Sequence, residues 1–145
     1  MSAFSGLVTA VVAALQAAPS VASGRVFANR LRTLSASETT AVVVRVESTS
    51  ATETVLGAHD WQTQVSVECY GKTSSGTSAE AAVDTLLVAV WPRLMALSPA
   101  SLAVSRVAVD PQIVWDRDLD ATDTVCASVR LTVQHRTPVN SLESW

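Results

Sequence analysis

Residues 61–70 read Trp-Gln-Thr-Gln-Val-Ser-Val-Glu-Cys-Tyr and alternate without a break. Side chains on an extended chain have a period of two, so Trp61, Thr63, Val65, Val67 and Cys69 share one side and Gln62, Gln64, Ser66, Glu68 and Tyr70 the other. A strand with one apolar face needs neighbours of the same kind and a layer that covers that face. The sequence supplies both. Residues 41–47 place Val42, Val44 and Val46 opposite Val43, Arg45 and Glu47. Residues 124–136 place Val125, Ala127, Val129, Leu131 and Val133 on one face, with Ser128, Arg130, Thr132 and Gln134 on the other. Leu102, Val104, Val107 and Val109 predict a further strand, and the change of parity between 104 and 107 predicts a bulge.

The covering layer is helical. Phe4, Leu7, Val8, Val11, Val12 and Leu15 make one stripe of a helix over about 3–18, with Ser2 as N-cap and Pro19 as the stop. Val83, Leu86, Leu87, Val90, Leu94 and Leu97 make a second stripe. Thr77-Ser78-Ala79-Glu80 is read as its capping box, and Pro92 predicts a kink or restarted turn near Trp91. The expectation is an α+β domain over 1–136. Two helices pack on one face of a four-stranded antiparallel or mixed sheet, in the order α-β-β-α-β-β. Gly24–Arg32 is an extended segment or short strand, 48–59 a long Ser/Thr-rich hairpin loop, 110–123 an acidic loop and 137–145 a loose tail.

Composition narrows the function. Of 145 residues, 48% are hydrophobic and 16% charged, the balance of a packed domain rather than a disordered chain. A net charge of −3 argues against nucleic-acid binding by bulk charge. Two Cys exclude a disulfide framework and a four-Cys metal site. Residues 6–15 could pass for the apolar core of a signal peptide, but no positive charge precedes them, so the expectation is the amphipathic helix of a soluble protein.

No chemical constellation is complete. Gly71-Lys72-Thr73 lies between strand and helix, but a phosphate loop needs glycine at position 66, which is Ser66. Asp116, Asp118 and Asp120 alternate as in a calcium loop, yet Ala121 and Ala127 stand where its glycine and bidentate glutamate belong. No Gly-x-Ser-x-Gly elbow offers a nucleophile. Cys69 and Cys126 lie in strand patterns and read as small buried residues. The reading is therefore not an enzyme, with no cofactor and no metal. The rival reading is a small enzyme or ligand-binding domain that uses the acidic loop 110–123, or His59 with Asp60. Arg25, Arg30 and Arg32 are the densest cationic cluster. They are either a charged strand edge or one half of a subunit interface, for which Asp116, Asp118 and Asp120 supply the other half.

The order of a short apolar helix, Gly24-Arg25-Val26-Phe27, a hydrophobic strand, Trp61 to Tyr70, a helix opening Ala79-Glu80-Ala81-Ala82-Val83-Asp84 and a closing strand pair resembles the tail terminator, or tail completion, proteins of long-tailed bacteriophages. The resemblance spans about residues 3–136 and rests on element order. It implies a hexameric ring that caps the tail tube at its final length, at the neck end of the virion, after assembly in the host cytoplasm. Its partners would be the tail tube protein and the head–tail connector, with DNA passing through the lumen and no membrane involved. The family has no catalytic signature to transfer.

Overall fold

A computed structural model describes residues 1–31, 34–118 and 123–143. The elements are α1 (Ala3–Gln16), a 3-10 turn (Val21–Gly24), β1 (Val26–Ala28), β2 (Thr40–Val55), β3 (Ala58–Lys72), α2 (Ala79–Met95), α3 (Pro99–Leu102), β4 (Arg106–Asp118) and β5 (Thr124–Pro138). The class is α+β. The sheet has five strands rather than four, ordered β1-β2-β3-β5-β4. The added strand is β1, which pairs parallel with Val42–Val44 of β2; every other pairing is antiparallel.

The sheet has an inner face, against the helices, and an outer face. Val42, Val44, Val65, Val67, Cys69, Ala127, Val129, Leu131 and Val133 line the inner face and join one core with Leu7, Val8, Val11 and Leu15 of α1 and Val83, Leu86, Leu87, Val90 and Leu94 of α2. Ser2 caps α1, its hydroxyl accepting the Ser5 N–H at 3.3 Å. Arg93 of α2 secures the other end: its guanidinium donates to the carbonyls of Ala14, Leu15, Ala17 and Pro19, at or just beyond the last turn of α1. These are acceptors that a helix C-terminus leaves unpaired. A Cβ on Gly71 would lie 2.7 Å from the Ala79 carbonyl oxygen and 2.8 Å from Val83, so only glycine lets the start of α2 sit this close to β3.

Several local expectations are corrected. Residues 48–59 are not a loop: β2 and β3 run on to a two-residue turn at Leu56-Gly57, where Gly57 has φ +82°. The cap of α2 is Ser78, which accepts the Ala81 N–H at 3.2 Å, and not Thr77, which closes a turn with Ser74. Glu80 reaches Arg117 instead of the cap. The helix continues through Pro92, which sits on its exposed side. Leu102 belongs to α3, capped by Ser98 and Ser101, and the bulge falls between Val109 and Ile113, around Pro111. The stretch 110–118, expected as acidic loop, is strand. Thr137 and Pro138 belong to β5, and the following segment is bonded in place by Val139 N–H to Gly57 and by Ala3 N–H to the Leu142 carbonyl.

Candidate functional site

The cationic and acidic residues singled out from the sequence lie at opposite edges of the sheet. Arg25 immediately precedes β1, and its guanidinium donates to the Thr40 carbonyl at 2.6 Å and the Thr40 hydroxyl at 2.9 Å. Arg30 follows β1, stacks 4.3 Å from the centre of the Phe27 ring and forks onto Glu38 at 3.1 and 2.7 Å. The fork, with a further hydrogen bond from the Ser35 N–H, holds the Glu38 carboxyl down to about 2. Asp116 is exposed on β4, across from Cys126, and Asp118 ends that strand opposite Thr124. Arg32 and Asp120 lie outside the described residues. Within one subunit, three strands separate β1 from β4, so the two groups do not meet.

The β4 edge carries apolar surface as well as charge. Val114 and Trp115 are 52% and 39% exposed, on opposite faces of the same strand. Trp115 borders the start of α2, beside the Arg117–Glu80 pair at 3.3 Å. No strand lies beyond β4 among the described residues.

The outer face of the sheet is wired with charge pairs. Arg45 donates to Glu68 at 2.8 Å and to the Arg30 carbonyl at 3.1 Å, and Tyr70 donates to the same Glu68 oxygen at 2.7 Å. Arg130 forks onto Glu47 at 2.6 and 2.8 Å, and Arg136 onto Asp60 at 2.6 and 2.8 Å. The Arg130 and Arg136 guanidinium groups depress the Glu47 and Asp60 carboxyls, and burial pushes the Tyr70 hydroxyl up. The alternation of 62–68 and 128–134 showed this face to be polar. It did not show which residues pair, because that depends on strand order and on the bulge beside Glu47.

The structure does not assemble His59 and Asp60 into a base and its orienter. As consecutive strand residues they face opposite ways: His59 bonds Thr54 at 2.9 Å, while Asp60 is taken by Arg136. Cys69 faces inward and is buried; Cys126 is half-buried on the outer face, and both are free thiols. Burial raises the Cys69 thiol far above its usual range. Among the described residues, no three His, Cys, Asp or Glu side chains gather as a metal site would require. No helix there is long and apolar enough to cross a membrane.

No protein-family model matches this chain, and no curated protein is significantly similar to it.

Proposed function

We propose that this chain is a ring-forming structural protein of a long-tailed bacteriophage, one that caps the tail tube at its final length and presents a surface for head–tail joining. The observation that supports this most is the placement of unlike edges. Cationic Arg25 and Arg30 flank β1, and Asp116, Val114 and Trp115 stand on β4 at the other end of the sheet. A head-to-tail contact brings one subunit's β4 against the next subunit's β1, and such a contact closes into a ring when the rotation per subunit fits. A charge pair between exposed Asp116 and half-buried Arg25 sets the register, Arg30 being held by Glu38, while Val114 and Trp115 supply apolar area. Six copies follow from the resemblance in element order. The tail tube protein and the connector are then the partners on the two faces of the ring. A net charge of −3 suits a lumen that DNA crosses without sticking.

The test uses Asp116→Arg, chosen because Asp116 is exposed and makes no ion pair with the described residues that a reversal would break. Wild-type protein mixed with tail tubes is expected to give a terminal ring by imaging and by co-sedimentation. Asp116→Arg is expected to lose the ring with its melting temperature unchanged, and Arg25→Glu in the same chain to restore it. Wild-type tubes without a terminal ring would overturn the proposal.

A further inference from the structure

The two ends of the sheet have different outlines, and both break at the same height. Strand β1 pairs with Val42–Val44 of β2 and stops at Ala28. The Asn29 N–H makes the last bond, to the Val44 carbonyl at 2.8 Å, and with φ +52° Asn29 turns the chain out of the sheet. Arg30 is then held by Glu38, and its carbonyl accepts from the Arg45 guanidinium at 3.1 Å. Beyond this step β2 has β3 on one side and no strand on the other among the described residues. Glu47–Thr54 are exposed, so the stretch Val46–Ser50 is an open edge whose outward N–H and C=O groups can take a further strand. Strand β1 is the poorer edge, because its Val26 carbonyl already accepts the Gln16 amide at 3.0 Å.

Strand β4, at the other end, is interrupted at that same height. Its register with β5 shifts between Val109 and Ile113, around Pro111. Followed across the ladder, Trp115 is level with Ala127, Cys69, Val42 and Val26, and Ile113 with Val129, Val67, Val44 and Ala28. Ile113–Trp115 therefore stand at the height of β1. Val109 is level with Leu131, Val65 and Val46, and Arg106 with Gln134, Gln62 and Ser50. Arg106–Val109 therefore stand at the height of the open edge. Between the two halves, Pro111 has no N–H to leave unpaired where the other edge makes its step.

Direction and charge agree with this match. Three antiparallel pairings lie between β2 and β4, so the two strands run in opposite senses. In a head-to-tail ring whose axis runs along the strands, the next copy's β4 arrives antiparallel to β2. Arg106 is on the outer face with Gln134, and Glu53 is on that face with Asp60, just beyond Ser50. Both are exposed and neither has an ion pair among the described residues; the cation nearest Glu53 is Arg136, which Asp60 already holds. On the inner face Val46, Val107 and Val109 are half-buried at the margin of the core, and the pairing sets them side by side.

We propose that Arg106–Val109 of one copy's β4 adds to the open edge of the next copy's β2 as an antiparallel strand alongside Val46–Ser50, with Arg106 beside Glu53, so that the sheet runs on from subunit to subunit. The inference rests on the head-to-tail contact of the proposed ring and names the segments that pair in it.

The experiment places Glu53→Cys and Arg106→Cys in one chain, in a Cys126→Ser background because that thiol is half-buried. The protein is mixed with tail tubes or concentrated alone, then treated with a short bis-maleimide. The double variant is expected to give a ladder of covalent multimers, and each single variant none. Amide exchange of wild-type segments 46–50 and 106–109 is expected to slow several-fold on assembly. Multimers from either single variant would mean that like edges meet, and would overturn the pairing. A ring that Asp116→Arg abolishes and Arg25→Glu restores, but that shows neither cross-link nor slowed exchange, would overturn the strand addition and leave the ring standing. Cross-linked multimers with no terminal ring on the tubes would support the pairing and overturn the tail reading. Absence of both cross-link and ring would overturn both.

Discussion

The two faces of one sheet are held by different physics. On the inner face Val42, Val44, Val65, Val67, Val129 and Leu131 have no exposed surface and are covered by α1 and α2. That attraction is large and has little direction, so it is satisfied by any well-packed apolar partner. On the outer face the contacts are forks, and each works in one register only. Glu47 of β2 reaches across β3 to Arg130 of β5, over the small side chain of Ser66. Arg45 and Tyr70 converge on Glu68. The inner face therefore carries most of the stability, while the outer face fixes how the strands align.

The largest expected effect tests the inner face. Leu15 is fully buried in the last turn of α1. Leu15→Ala removes its contacts and leaves a cavity, at a cost of about 2–5 kcal/mol in denaturant unfolding. A loss under about 1 kcal/mol would mean that α1 contributes little to the core, and the contrast between the faces would fail.

A smaller effect is expected on the other side. Glu68→Gln keeps the shape but removes the charge that Arg45 and Tyr70 share. The Arg45 side chain is 31% exposed and that of Glu68 16%, so solvent screens the pair only in part. The Arg45 Nε is already without a partner. The expected loss is about 1–3 kcal/mol, below that of Leu15→Ala. The equilibrium m-value should stay constant, since the core is intact. A loss as large as that of Leu15→Ala would show that the outer network is part of the folding core rather than a device of register.

This division also explains what the sequence disclosed. The inner face was legible, since strict alternation in 41–47, 61–70 and 124–136 and the stripe of α1 report burial directly. The hairpin beyond Glu47 was not. Ser48 to Thr54 are exposed on both faces and carry no apolar alternation to betray a strand. What holds them extended is pairing with β3, whose other edge is backed by β5 through to Pro138. Strand β1 was ambiguous for a related reason: three residues are too few to show a period. The unlike edges were visible as clusters of Arg and Asp, but their separation by three strands depends on the crossover that places β5 between β3 and β4. His135 belongs to no ligand-spaced motif, and a lone histidine in a strand pattern gives no sign that its ring is buried against Phe4.

The smallest expected effect separates the faces by pH. His135 on the inner face is surrounded by Phe4 of α1 and by Trp61 and Thr63 of β3, none of them charged; the neighbouring Arg136 is held by Asp60 on the outer face. Burial lowers its affinity for a proton. The unfolded chain gains a proton on this group near pH 6.5, where the folded chain refuses it, so stability falls as the pH drops below about 6.5. Glu38 behaves differently. Its carboxyl stays ionised down to about 2 in the folded chain but takes a proton at the ordinary value of 4.5 in the unfolded one. Its contribution is therefore complete above pH 4.5 and is lost from there toward pH 2. Melting temperatures recorded down a pH series should show two windows of loss. His135→Gln should flatten the window just below pH 6.5 and leave the acid window, and Glu38→Gln should shrink the acid window, to which Glu47 and Asp60 also contribute, and leave the upper one. The slopes matter here, rather than the absolute melting temperatures, because each substitution also alters hydrogen bonds, His135 to Thr63 and Glu38 to Arg30. If His135→Gln leaves the slope between about pH 6.5 and 5 unchanged, His135 is not buried as a neutral ring, and the inner face is not sealed around it.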